Sequence, residues 1–327
     1  MVALSLQPGL KQGEDVAQVR TTTRLKSILA RRNAALLPGA ANALFARIVE
    51  DLGFEACYVT GAGIANMHLG APDIGLTTLA EIVDHVAAMA DAVAIPLLVD
   101  SDTGFGNALN VIRTVTMLER AGAAGIQLED QVFPKRCGHF DGKEVVPLPE
   151  MLGKVRAAVD ARRDRDFQIV ARTDARSSLG LDAALERAHA MIEAGADATF
   201  VEAPTSHEEI ARILTELPAP QIVNIVFGGR TPEVPQPELA KMGAGECRAA
   251  GGDQGRAGGA RRAQARRVAR RCRRPSRELR GAPARAAQGS FRRRRGSIPP
   301  QALRPGTPQG GTCFAAAHYP TGPADQS

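Results

Sequence analysis

The sequence predicts an α/β protein whose parallel strands form a (β/α)8 barrel of the TIM type, and three observations predict it. From about Leu36 to Asn224, short apolar runs alternate with longer amphipathic stretches, the pattern of repeated strand and helix units around a parallel sheet. Acidic, basic and amide side chains end one apolar run after another: Asp100 and Asp102, Glu129 and Asp130, Arg172 and Asp174, Glu202, Asn224. The chain has 327 residues, enough for the roughly 250 of such a barrel. A doubly wound sheet is the structural rival, but it concentrates chemistry at one switch point. A ring of polar residues on successive strand ends suits a barrel mouth.

In chain order, the candidate strands are AALLPG, EACYVTG, IPLLVD, AGIQLED, FQIVART, ATFVEAP and PQIVNIV. EACYVTG leads through a glycine turn to the helical stretch TTLAEIVDHVAAMADAV, and IPLLVD to NALNVIRTVTMLERAG. AGIQLED is followed by a long loop and then LPEMLGKVRAAVDARR. LDAALERAHAMIEAG follows FQIVART, and SHEEIARILTELP follows ATFVEAP. Helical periodicity in each second member supports the alternation. Seven strands are found where a barrel needs eight.

Composition narrows the class. With 44% hydrophobic and 23% charged residues, the chain is neither a small disulfide scaffold nor wholly disordered. No run approaches the roughly 20 apolar residues of a bilayer span, and the opening lacks a signal-peptide pattern, so a soluble cytoplasmic protein is expected. The net charge of +6 is unevenly placed: residues 244–327 hold 18 Arg, no Lys and four acids, leaving a net of −8 on the rest. The five cysteines show no C-x-x-C pair, so neither a disulfide framework nor a zinc ribbon is supported.

Asp100 and Asp102 close an apolar run and point the same way by the two-residue period of a strand. Hard carboxylates of this kind suit Mg²⁺, which takes one or two of them along with waters and substrate oxygens. Glu129, ending the next strand, strengthens that reading over a solvated acidic turn. Lys135-Arg136-Cys137-Gly138-His139 lies in a long turn-rich connection, where lids and binding elements usually sit. Its cations and imidazole would lower the Cys137 pKa and make the thiol a usable proton donor or acceptor; the alternative is a small buried hydrophobe. Tyr58-Val59-Thr60-Gly61-Ala62-Gly63 offers a hydroxyl and close-approach amides for a carboxylate, or is a plain turn. Its glycine pattern lacks the last glycine of a dinucleotide fingerprint. Arg172 and Asn224 either bind acidic oxygens or belong to structural pairs.

The elements YVTGAG, PDIGLTTLAEIV, LLVDSDTGFGN, AGIQLEDQVFPKRCGH, ARTDA and EAGAD resemble the isocitrate lyase and phosphoenolpyruvate mutase superfamily, most closely its short 2-methylisocitrate and 2,3-dimethylmalate lyases. The resemblance implies a Mg²⁺-dependent barrel enzyme, with Mn²⁺ an alternative ion, that cleaves a 2-hydroxy di- or tricarboxylate to a 2-oxoacid and a carboxylic acid. It implies Asp100 and Asp102 as ion ligands with Asp73 and Glu129 as outer supports. Thr60, Gly61 and Ala62, with Tyr58 nearby, would cradle the oxyacid carboxylate, and Arg136 and Gly138 would line the same site. Arg172 would neutralise developing charge, Glu202 and Asn224 would position the second fragment, and Cys137, tuned by His139 and Lys135, would protonate the carbanion. Within the superfamily, a decarboxylase, a hydrolase or a phosphonomutase is the runner-up.

Two departures matter. Val226 stands where the methylisocitrate lyases carry a hydroxyl, which favours a smaller or less acidic substrate. After Gly243 the family supplies an eighth strand and a long helix that packs on a neighbouring subunit. Here only six Ile, Leu, Val, Met or Phe occur in 84 residues, too few to bury a face. Residues 1–30 are therefore read as an arm, 31–243 as the barrel lacking its last strand and helix, and 244–327 as a disordered tail. Out-of-frame GC-rich DNA encodes such a tail, so a reading-frame change near Gly243 is the reading adopted. It predicts poor solubility, weak activity and a compromised family oligomer. A linker, or a basic arm for nucleic acid, is the rival.

Overall fold

The structure is a computed structural model that describes residues 19–137, 142–226, 229–243 and 246–250, the backbone alone at 226 and 246–250. Helix α1 (Thr21–Ala30) comes first, followed by one strand in two pieces, β1 (Ala35–Leu36) and β2 (Gly39–Ala40). The break falls at Pro38, which has no N–H for the ladder. Helix α2 (Ala43–Asp51), β3 (Cys57–Val59) and the short α3 (Gly61–Ile64) follow, α3 widening into a π-turn at Ala65–Leu69. Then come α4 (Leu79–Ala92), β4 (Leu97–Asp100), α5 (Ala108–Arg120), β5 (Gly125–Glu129), α6 (Leu148–Ala161) and β6 (Gln168–Thr173). The series ends with α7 (Arg176–Leu179), α8 (Leu181–Glu193), β7 (Ala198–Val201), α9 (His207–Glu216), β8 (Ile222–Val226), α10 (Gln236–Lys241) and β9 (Glu246–Ala250).

Helix starts are written locally. Asn42, Thr78, Asn107 and Ser206 each accept a first-turn N–H of the helix they precede, satisfying donors that have no partner inside the helix. Thr78 and Glu81 cap each other reciprocally, which fixes where α4 begins.

All strand pairs are parallel, and β2 to β7 lie in sequence order. A bridge from Thr199 to Gln221 carries the ladder toward β8. β9 then pairs with β8 over five residues and with β1 over two. Because β1 and β2 are halves of one strand, the ring closes at the eight positions of a barrel.

The expected loss of the eighth strand is thereby corrected, and no open gap separates β8 from β1. The segment ECRAA carries little β-propensity, but its place is held by backbone hydrogen bonds that any non-proline residue can supply. The family's last helix and the rest of the tail lie outside the described residues.

Two apolar layers fill the body. Outside the sheet, Val59, Leu97, Val99, Ile126, Leu128 and Ile169 pack on the helices through Val111, Leu118 and Val155. Inside it, Tyr58, Leu98, Val170, Phe200 and Ile222 meet Leu25, Ile28 and Leu29 of α1. Helix α1 therefore stoppers the N-terminal end of the barrel, so part of the expected arm belongs to the core. Its hydroxyls and cations reach the turn before β6: Thr22 donates to Asp164 at 2.7 Å, and Lys26 pairs with Asp166 at 2.7 Å. Among the described residues, no helix is long and apolar enough to cross a membrane.

Candidate active site

The two-residue period of a strand carries each inward face from an apolar floor to a polar mouth. Leu98 is followed by Asp100, Val170 by Arg172, Phe200 by Glu202, and Ile222 by Asn224, all buried. The sequence-predicted residues of these strand ends thus converge on one end of the barrel, the end where barrels carry chemistry.

On the β3 to β5 side lies a carboxylate cluster. Asp100 Oδ1 accepts the Asp102 N–H at 3.2 Å and Gln127 Nε2 at 3.3 Å. Lys135 Nζ pairs with Asp102 Oδ1 at 2.7 Å and also with Asp73. Burial pushes the Asp102 carboxyl up to about 7, Lys135 opposing and Asp100 and Asp73 adding to the rise. Burial also holds Glu129 well above the usual carboxylate range. Burial alone would lower the Lys135 pKa, but Asp102, Glu129, Asp100 and Asp73 together raise it.

These residues fit a hard divalent cation. The donor set is all carboxylate oxygen, and Glu129 Oε1 is buried without a hydrogen-bond donor among the described residues. The backbone at Gly61 comes so close that a Cβ there would sit 3.2 Å from Asp100 Oδ2 and 3.4 Å from Asp102 Oδ1. Among the described residues, no group of three or more His, Cys, Asp or Glu is placed to hold a metal ion. An open pair of carboxylates is what Mg²⁺ uses when substrate and water complete its shell.

Across the mouth, Arg172 forks onto Asp174, Nε to Oδ2 at 2.9 Å and Nη2 to Oδ1 at 3.1 Å. Its Nε lies 3.4 Å from Glu129, its Nη1 lies 3.8 Å from Glu202, and its guanidinium stacks 5.1 Å over the Phe200 ring. Burial opposes its charge, but Asp174, Glu202 and Glu129 outweigh that and raise its pKa. Lys143 Nζ pairs with Asp174 Oδ1 at 2.6 Å. Despite burial, Arg172 and Lys143 hold Asp174 below the ordinary carboxylate value. Asn224 Oδ1 is buried without a donor among the described residues.

The loop after β5 is stitched to this mouth. Gln131 donates to the Arg136 carbonyl and accepts the Arg136 N–H, both at 2.9 Å. The Cys137 N–H donates to the Asp73 carbonyl at 3.1 Å, and Cys137 is half-buried. Gly138 and His139 lie outside the described residues. Thr60 and Ala62 are half-buried and Gly61 is buried where β3 ends, with the Thr60 hydroxyl accepting the Gly63 N–H at 3.2 Å.

One residue sits elsewhere than expected. The Tyr58 hydroxyl donates to Gln127 Oε1 at 2.6 Å inside the barrel, one layer beneath the mouth. Its side chain points inward at the level of Leu98, below the strand end. Sequence reading missed Gln127, whose signal was a lone amide in an apolar strand two residues before Glu129. It also missed Lys143 and Arg187. Arg187 reaches Asp130 at 2.9 Å from the middle of α8, and no spacing in the sequence links the two.

The profile of the phosphoenolpyruvate phosphomutase family matches residues 25–269, reaching past Gly243. The chain is 48% identical over 225 residues to 2,3-dimethylmalate lyase of Eubacterium barkeri, covering 69% of this chain and 78% of that one. It is 45% identical over 219 residues to 2-methylisocitrate lyase of Aeropyrum pernix, covering 67% and 70%. Among solved structures, oxaloacetate acetylhydrolase in complex with 3,3-difluorooxalacetate superimposes with a TM-score of 0.68 at 37% identity, over 70% of this chain and 79% of that one. Phosphonopyruvate hydrolase complexed with oxalate and Mg²⁺ gives 0.64 at 30% identity, over 77% and 85%.

Proposed function

The chain belongs to the phosphoenolpyruvate phosphomutase family, and from that premise we propose that it is a carbon–carbon lyase. Its substrate would be a 2-hydroxy di- or tricarboxylate of the dimethylmalate or methylisocitrate kind, its products a 2-oxoacid and a carboxylic acid. The observation that carries this reading is the buried carboxylate cluster with the Cys137 backbone pinned to it through Asp73. The two lyases cited above support the reaction type.

Asp100 and Asp102 would hold Mg²⁺ directly or through water, with Asp73 and Glu129 behind them. When bound, the ion supplies positive charge for the oxygen of the departing oxoacid. The amides of Gly61 and Ala62, with Thr60 beside them, receive the substrate carboxylate. In the cleavage, the 2-hydroxyl gives its proton to water, from which the Cys137 thiolate is later reprotonated, and the bond between the α and β carbons breaks. The α carbon becomes the carbonyl of the oxoacid, and the electron pair stays on the β carbon. Cys137 delivers the thiol proton to that carbon and is left as thiolate, with Lys135 and His139 tuning it. Arg172, kept charged by its three carboxylate neighbours, neutralises oxygen charge as it develops. Glu202 and Asn224 position the second fragment, and Arg136 and Gly138 would contribute to binding the substrate.

The test is 2-oxoacid release with Mg²⁺ or Mn²⁺ from methylisocitrate, dimethylmalate, isocitrate and oxaloacetate. Turnover of a 2-hydroxy acid that Cys137→Ser abolishes supports the lyase. Turnover confined to oxaloacetate, retained in Cys137→Ser, would replace it with a hydrolase or decarboxylase, a reading the oxaloacetate acetylhydrolase likeness favours. Running the assay on a version with the reading frame restored after Gly243 tests the tail, since activity in that version alone would make the tail a lesion.

A further inference from the structure

We propose that Gln127 is a positioning residue for the ion site: it fixes the Asp100 carboxylate so that Oδ2 alone faces the ion. This rests on the ion-holding part of the reading above. Gln127 lies in β5 and is wholly buried among apolar strand residues. Such an amide is costly unless both its ends are satisfied.

The orientation of that amide follows from its partners. An ionised carboxylate only accepts, so the NH₂ end must face Asp100, where Nε2 lies 3.3 Å from Oδ1. The carbonyl end is then left for the Tyr58 hydroxyl, which donates at 2.6 Å. The hydrogen bonds therefore run one way, from Tyr58 to Gln127 to Asp100.

Their endpoint assigns the two carboxylate oxygens. Oδ1 receives both Gln127 Nε2 and the Asp102 N–H. Oδ2 is turned toward the Gly61 backbone, which Asp102 Oδ1 also approaches. Without Gln127 the carboxylate keeps one donor, and rotation about its terminal torsion, which is broad for Asp, would swing Oδ2 away from Asp102. Tyr58, expected from the sequence to touch substrate, acts here by locking Gln127.

Mn²⁺ binding to the chelator-treated full chain, followed by electron paramagnetic resonance and calorimetry, tests this without any turnover. Gln127→Met keeps the length of the side chain and deletes both hydrogen bonds. Its Mn²⁺ dissociation constant should rise about 10- to 100-fold, the usual cost of losing an outer partner of a ligand. Tyr58→Phe keeps Gln127 in place and should weaken binding by a smaller factor, with an altered Mn²⁺ spectrum. Tyr58→Phe also serves as the second variant if Gln127→Met does not fold. Unchanged Mn²⁺ affinity in folded variants, even with a lowered melting temperature, would overturn the inference and leave the lyase reading standing. If the unaltered chain binds no Mn²⁺, the ion-holding reading falls and the inference with it.

Discussion

The two ends of the barrel interior are built from the same strands and differ in almost every property. At the N-terminal end, Leu98, Val170, Phe200 and Ile222 close on Leu25, Ile28 and Leu29 of α1. At the C-terminal end, two residues further along those strands, the inward positions are Asp100, Arg172, Glu202 and Asn224. One end gains stability by removing apolar surface from water. The other buries charges, which is unfavourable unless they are paired or take up an ion. A single strand thus supplies support and chemistry one pleat repeat apart.

The sharpest way to break this contrast is at Arg172, which lies within reach of both Glu129 and Glu202. Arg172→Met should cost about 3–5 kcal/mol, because it removes the buried cation that Asp174, Glu129 and Glu202 share, and should abolish oxoacid release. Urea denaturation beside the activity assay checks both. The matching change at the other end is Leu29→Ala, in a side chain that is 1% exposed. It should cost about 2–5 kcal/mol through the cavity it leaves, while KM and kcat below the transition stay as they were. A shift in KM would mean that the floor and the mouth are not independent.

Gly61→Ala reverses that pattern. The added methyl would enter the space between Asp100 Oδ2 and Asp102 Oδ1, so activity should drop about 100-fold from misplacement alone. The melting temperature should hold or rise, since alanine favours the short helix there. Loss of stability with ion binding intact would refute the cradle.

A pH effect separates the ends further. Arg172 and Lys143 hold Asp174 below its ordinary value of 3.8 despite burial. The unfolded chain therefore binds this proton more readily, and the stability that Asp174 supplies is present above about pH 4 and is lost as pH falls through the lower folded value. Asp174→Asn should be less stable than the parent at pH 7, and the gap should narrow as the medium is acidified below 3.8, as read from melting curves. The smallest effect is expected at Arg20, whose side chain is 62% exposed beside Asp164 and Asp166. Arg20→Ala should cost less than about 1 kcal/mol, the range of exposed pairs, and high salt should erase it.

Much of the mouth was legible in the sequence. Asp100, Glu129, Arg172, Glu202 and Asn224 each close an apolar run, and strand ends in a barrel share one rim. Gln127 was harder to read because its meaning depends on Tyr58, 69 residues away in sequence. Lys143 and Asp174 meet across 31 residues, and a charge in a turn-rich loop gives no sign that it will be buried. The eighth strand was missed for a different reason: Glu246–Ala250 is held through its backbone, which leaves little trace in side-chain pattern.

By itself, the sequence determined the alternation of strands and helices, the helix caps and the polar residues at the strand ends, because propensity, periodicity and capping act over a few residues. The tertiary structure alone decided that the ring closes through β9, that α1 stoppers it, and that Tyr58 stands beneath the site. Those outcomes turn on which distant groups share one buried volume. Burial also raises the Asp102 pKa and sets the orientation of Gln127, since only a site withdrawn from water makes an unpaired polar atom costly enough to choose its partner.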